Sequence, residues 1–207
     1  MSTVTVIGDV HGKYNEYLKI VRNKPYTIQI GDMGFDYEHM DSVDSGNHII
    51  IGGNHDNYDE IKKLPHYIGD YGRMGFFTGT KNLFEFFWTR GGLSIDKHLR
   101  IEGKSWWRDE EISLEDLNRA VENYSMVGIT KPHTMITHVP PQSIVPIITG
   151  STRIYPSRTG QALDAMWYIH KPKLWIFGHI HTSFHMTIDG TEFIGLNELE
   201  TLDLNGE

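Results

Sequence analysis

Short apolar, β-branched runs alternate along the chain with stretches of helical spacing, and the runs stop in a shared way. Thr3–Gly8 is β-rich and ends in Gly8-Asp9-Val10-His11-Gly12. Tyr14, Tyr17, Leu18 and Val21 then keep the i, i+3, i+4, i+7 spacing of one buried helix face, and Pro25 ends that helix. Tyr26–Ile30 reads as the second strand and stops at Gly31-Asp32. A polar helical segment over 36–44 leads to the third run, Ile49–Ile51. It breaks at Gly52-Gly53, where the backbone turns without a Cβ penalty, and delivers Asn54, His55 and Asp56. Strand, helix, strand, helix, strand is the rhythm of a parallel sheet. Chemistry in open α/β sheets sits at the C-terminal strand ends, and here those ends carry polar tips to one edge.

The second half continues the pattern. Residues 57–112 contain one clear strand, Leu83–Thr89, ended by Arg90-Gly91-Gly92. Ser113 with Asp116 reads as a capping box that opens a helix whose buried face is Leu114, Leu117, Val121 and Tyr124. His133–Thr137 is the next strand, ending in His138 and then Pro140-Pro141, which block helix and ladder alike. The stretch Pro140–Gly160 is too long for a simple connection and is expected to fold over the site as a loop. Thr159–His170 is read as a helix with Leu163, Met166 and Trp167 inward, and Lys173–Phe177 as a strand ending in Gly178-His179-Ile180-His181. Ser183–Ile188 and Thr191–Leu196 flank Asp189-Gly190, a strong hairpin signal. With no repeat, linker or low-complexity segment, residues 1–207 are expected to form one domain.

Composition narrows the chemistry. Hydrophobic residues at 39% and charged residues at 22% describe a globular protein, and a formal net charge of −8 does not suit a duplex nucleic-acid surface. A metal site supplies local positive charge whatever the global balance, so a nucleotide stays admissible. The chain has no cysteine, so any metal must sit on nitrogen and oxygen. The opening MSTVTVIGDVHG lacks a basic n-region and a long apolar core, and no run approaches the ~20 apolar residues of a membrane span. The expectation is a soluble, cytoplasmic protein with no membrane contact.

Collected together, the strand ends offer Asp9, His11, Asp32, Asn54, His138, His179 and His181. These nitrogen and oxygen ligands are too many for one tetrahedral metal and suit two. A carboxylate between two cations can bridge them at the roughly 3.5–4 Å separation of a two-metal site. A neutral amide such as Asn54 leaves the pair net cationic and attractive to phosphate.

Gly8-Asp9-Val10-His11-Gly12, Gly31-Asp32, Gly53-Asn54-His55-Asp56, His138 and Gly178-His179-Ile180-His181 together resemble the calcineurin-like metallophosphoesterases, in order and over nearly the whole chain. The resemblance implies an α/β fold, a four-layer α/β/β/α sandwich of two mixed sheets. It also implies a ligand assignment: Asp9, His11 and His181 on one metal, Asn54, His138 and His179 on the other, Asp32 bridging. The implied cofactor is two divalent ions, manganese first, with iron, zinc, nickel or cobalt also compatible. Two cations acidify a shared water and supply a hydroxide for in-line attack on phosphorus, while neutralising the phosphoryl oxygens. His55 is the candidate that protonates the leaving oxygen or hydrogen-bonds it, with Asp56 or Asp36 orienting the ring. The expected activity is hydrolysis of small phosphomonoesters or phosphodiesters.

The motif set departs from that of the family's Ser/Thr protein phosphatases. Those carry Asp-Arg-Gly shortly after the second motif and Glu after Gly-Asn-His, whereas Asp32 here precedes Met33-Gly34-Phe35-Asp36 and Asp56 replaces the Glu. A protein phosphatase is therefore the alternative enzyme, and a catalytically silent scaffold the alternative class. Arg90, Arg100, Arg153 and Arg158 read foremost as solvated surface pairs, with a grip on a substrate phosphate as the functional option, and His98 is the best-placed of the remaining histidines. Trp106-Trp107 reads foremost as core packing, with stacking on a nucleotide-like or aryl ester as the functional option.

Overall fold

The computed structural model describes residues 3–78, 81–127 and 133–205. Its strands are β1 (Thr3–Ile7), β2 (Tyr26–Gln29), β3 (His48–Ile50), β4 (Tyr71–Thr78), β5 (Lys81–Thr89), β6 (Thr134–Thr137), β7 (Leu174–Phe177), β8 (Phe184–Ile188), β9 (Thr191–Gly195) and β10 (Thr201–Asn205). Its helices are α1 (Tyr14–Val21), α2 (Tyr58–Ile61), α3 (Leu114–Met126), α4 (Val145–Thr149) and α5 (Arg158–Ile169). The polar segment over 36–44 forms a short 3₁₀ turn, Glu38–Ser42, rather than an α-helix.

Two mixed sheets result, ordered β10-β1-β2-β3 and β4-β5-β6-β7-β9-β8. Strands β1, β2 and β3 run parallel, as do β5, β6, β7 and β9, with antiparallel partners at the edges. The central strands are buried on both faces and read as continuous apolar runs, as expected where sheets are covered on each side. Between the sheets lie Val4, Val6, Ile28, Ile30, Ile49 and Ile51 against Phe76, Phe86, Trp88, Ile136 and Ile176. The outer face of the larger sheet packs Phe87, Met135, Trp175 and Phe193 under Ala120 and Tyr124 of α3 and Leu163, Met166 and Trp167 of α5. Ile7 and Ile50 of the smaller sheet pack beneath Tyr17 and Val21 of α1 and Tyr58 and Ile61 of α2. These layers are the α/β/β/α sandwich.

The Asp189-Gly190 turn closes its hairpin with both residues at positive φ, 50° and 85°, the backbone that matches strand twist. Two expectations change. Helix α3 is capped by Ser113, whose hydroxyl accepts from the Asp116 amide at 3.1 Å, but Leu114 stands 61% exposed and Ala120 takes its place in the core. Strands β4 and β10 had no counterpart in the sequence reading.

Trp175 is fully buried, with its indole N–H donating to Thr137 Oγ1 at 2.9 Å. Trp175→Ala is expected to cost about 3–5 kcal/mol of unfolding free energy. Leu114→Ala is expected to stay within about 0.5 kcal/mol of the parent, because nothing is packed over it. Urea titration of both variants checks the assignment of the α3 face.

Candidate metal centre

The parallel strands point their C-terminal ends the same way, so the residues just beyond β1, β2, β3, β6 and β7 meet. Asp9, His11, Asp32 and His181 form one group, and Asp32, His138 and His179 a second, with ligand atoms in each within 4.8 Å of one another. Asn54 joins the second group, its Oδ1 lying 2.9 Å from His138 Nε2. Every ligand candidate read from the sequence is therefore brought to one place, and Asp32 is common to both groups.

Local backbone explains the motif glycines. A Cβ at Gly178 would lie 2.2 Å from Asp9 Oδ1, and one at Gly53 would lie 2.2 Å from Asp32 Oδ1. The ligands themselves take conformations that L-residues avoid: φ is 48° at His11, 57° at Asp32, 67° at His179 and 51° at His181. Backbone strain of this kind costs of order 1–3 kcal/mol per residue and persists where the surroundings over-determine it.

The donor set fits divalent cations. His11 Nε2 and His181 Nε2 face each other at 2.8 Å, so two imidazole nitrogens aim at one point. Asp9 Oδ2 is 3.1 Å from His181 Nε2, and Asp32 Oδ1 is 3.3 Å from His138 Nε2. Asp32 Oδ2 is buried with no hydrogen-bond partner. An orphaned buried carboxylate oxygen beside converging imidazoles is the arrangement a shared cation satisfies. Two of the second ring nitrogens also have neighbours. His138 Nδ1 lies 2.9 Å from Ile30 O, which fixes the tautomer and leaves Nε2 facing the cluster as a lone pair, and Glu198 lies 3.7 Å from His181 Nδ1. The Asn54 amide nitrogen donates to Ser94 Oγ at 3.0 Å, turning its oxygen towards the cluster.

Charge is organised accordingly. Burial drives the Asp9 carboxyl up, but hydrogen bonds to His11 and His181, with the His138 and His179 charges, hold it well below the usual carboxylate range. Burial pushes Asp32 up, opposed by His138 and reinforced by the neighbouring Asp9 charge. Burial, then the His138 charge, pushes His179 down to about 3, so its ring is neutral and able to ligate.

His55 sits beside the cluster, its ring centroid 5.2 Å from that of His11. Its close partner is Arg100, whose two terminal nitrogens lie 2.9 Å and 3.0 Å from Nδ1 and Nε2. Asp96 holds that guanidinium with both oxygens at 2.8 Å. Burial, then Arg100 and His11, push the His55 imidazole down to about 4, so it is uncharged at neutral pH. The expectation that Asp56 orients His55 is corrected. Asp56 is fully buried and its carboxylate accepts from the amides of Asp32 (2.9 Å), Gly53 (2.6 Å) and Gly34 (3.3 Å) and from Tyr37 Oη (2.9 Å). It ties the loop after β2 to the loop after β3. Asp36 instead accepts from the Glu38 amide at 3.0 Å.

Other candidates fall outside the cluster. Arg90 is buried over the Tyr58 ring at 4.3 Å and bonded to Asp70, a structural role. His98 is exposed, and Arg158 pairs with Glu111 at 3.5 Å. Trp107 is buried, donating to Asp59 at 3.0 Å, and Lys97 lies 5.9 Å from the Trp106 ring, so packing accounts for the pair. The stretch Pro140–Gly160 carries α4 and walls a cavity of about 270 Å³ whose lining also includes His179.

The two-sheet sandwich thus gathers aspartate, histidine and asparagine at its parallel strand ends. The chain belongs to the calcineurin-like phosphoesterase family, whose sequence model matches residues 2–183. No curated protein matches it by sequence. Among solved structures it is similar to phosphopantetheinyl hydrolase (PptH) of Mycobacterium tuberculosis, with a TM-score of 0.60, 10% identity, and 95% of this chain and 89% of that one covered. A dimetal phosphatase of Danio rerio gives a TM-score of 0.54 at 13% identity, covering 95% and 87%. GAP50, the anchor in the inner membrane complex of Plasmodium, gives 0.50 at 10% identity, covering 95% and 72%. These likenesses concern the fold. No helix among the described residues is long and apolar enough to cross a membrane.

Asp56→Ala leaves three buried amides and a tyrosine hydroxyl without their acceptor and is expected to cost on the order of 3 kcal/mol or more. Asp56→Asn, which keeps one acceptor oxygen, is expected to lose about half as much. Denaturant unfolding of both, in chelator, separates this support from any effect on metal.

Proposed function

We propose that the protein is a dinuclear metal-dependent phosphoesterase acting on small phosphomonoesters or phosphodiesters. The observation that carries this reading is the pair of ligand groups that share Asp32. Asp9, His11 and His181 would hold one ion, Asn54, His138 and His179 the other, and Asp32 would bridge. Two bound cations supply Lewis acidity, activating water and neutralising the phosphoryl oxygens. Manganese is the first choice for reconstitution, since the nitrogen and oxygen donors exclude none of the common divalent metals.

The chain's own residues then position the ester. A neutral His55 suits hydrogen bonding to the departing oxygen better than full proton donation at neutral pH. Arg100, held by both Asp96 oxygens and by the Ser105 carbonyl, acts as a positioning residue that fixes the His55 ring and keeps it uncharged. Asp56 acts as a positioning residue beneath Asp32 and Asn54, without touching the reacting atoms.

The test is hydrolysis of bis-p-nitrophenyl phosphate and p-nitrophenyl phosphate after chelation and Mn²⁺ add-back. Turnover is expected only with metal, with Asp32→Asn losing about 100-fold or more and His55→Ala about 10- to 100-fold. Metal-independent turnover, or full activity in Asp32→Asn, would overturn the reading.

A further inference from the structure

The cavity beside the metal-ligand cluster is built differently from the cluster itself. Its volume is about 270 Å³, and His179 forms part of its wall, so the cavity adjoins the cluster. Leu93 and Ile95 line one side; Val139, Val145 and Ile180 line others. Four of the polar side chains around it are already engaged within the protein. Gln142 Oε1 accepts the Ser157 amide at 3.0 Å, and Ser157 Oγ donates to Glu111 at 2.8 Å while accepting from Gly160 N at 3.1 Å. Thr149 Oγ1 donates to Val145 O at 2.9 Å and accepts from Ser151 N at 3.2 Å, and Ser151 Oγ accepts from Arg153 N at 3.1 Å.

A wall whose hydroxyls and amide oxygen are engaged with the backbone and with Glu111 offers an occupant mainly apolar contact. A nucleobase finds fewer partners there for its ring donors and acceptors than it has in water, a cost an aromatic hydrocarbon does not incur. Two of the lining residues, Ile95 and Tyr155, are exposed, and the Arg153 guanidinium lies over the Tyr155 ring at 4.9 Å. Arg153 puts positive charge on the wall, complementary to a phosphate. An apolar cavity of about 150 Å³ is enough for one benzene, so this one has room for a fused bicyclic ring.

We propose that this cavity is the leaving-group subsite and selects phosphoesters of bulky apolar, chiefly aryl, alcohols. The proposal rests on the phosphoesterase reading above. In the reaction the water oxygen forms the new P–O bond and the P–O bond to the aryl oxygen breaks. The aryl oxygen departs with the electron pair, its ring held in the cavity, and takes a proton from water, while the proton lost by the attacking water passes to solvent. Burial of a second ring favours the larger ester, while the metal-ligand cluster treats both phosphates alike.

The experiment compares kcat/KM of the Mn²⁺-loaded enzyme for 1-naphthyl phosphate and phenyl phosphate, and measures 1-naphthol binding by calorimetry on the same protein. Val145→Trp and Thr149→Trp fill the cavity from α4, the first keeping the Thr149 hydroxyl bonds and the second starting from an exposed position. The parent is expected to prefer the naphthyl ester by about tenfold or more. In both variants the ratio is expected to fall towards one and 1-naphthol binding to be lost. A parent ratio near one, or a ratio unmoved by the two tryptophans, in an enzyme that turns over both esters overturns the subsite alone. Binding of 1-naphthol without turnover of either ester overturns the phosphoesterase reading, and the subsite with it.

Discussion

Asp32 is a buried carboxylate at a φ of 57°, with one oxygen bonded to the His55 amide and the other without a hydrogen-bond partner. Both the charge and the backbone conformation are costly in isolation. Much of the architecture reads as what makes them tolerable. Asp56 bonds the amides on either side of the loop, Gly53 leaves room for the Asp32 oxygen, and His138 and His11 face the carboxylate from two different sheets. A cation pair on the free lone pairs would complete that balance.

The sandwich supplies the convergence. Strands β1 to β3 and β5 to β7 belong to different sheets, yet parallel order in each sends their polar ends to one rim while the apolar runs between them fill the core. The ligand residues sit at chain reversals, where positive φ and missing Cβ atoms are available, and the strands behind them hold the reversals still. Rigid strands placing ligands on short turns is the economical way to fix metal-ligand geometry.

Much of this was legible in the sequence because a glycine followed by a carboxylate, amide or imidazole closes the apolar runs of β1, β2, β3 and β7. Those glycines have a direct steric reason, so the pattern carries structural information. What escaped the sequence depends on neighbours far along the chain. Strand β4 contains Gly72 and Gly75 and pairs antiparallel with β5, so it carries no continuous apolar run. Strand β10 is short and lies at a sheet edge, where a half-exposed alternation is weak. Leu114 obeys the helix spacing but sits at the first helical position, beyond the reach of the sheet. Arg100 meets His55 and Ser94 meets Asn54 across loops, and nothing local marks either pair. Asp56 was read by its place beside His55, although adjacent residues on a turn point apart.

The account depends most on Asp32 joining two ion sites. Metal content of the Mn²⁺-reconstituted, desalted protein, measured by plasma mass spectrometry against protein concentration, tests this directly, with Asp32→Ala alongside. Two equivalents per chain in the parent, and weakened retention of both in Asp32→Ala, is the predicted result. One equivalent or none at saturation, or two equivalents held equally tightly without Asp32, would contradict it.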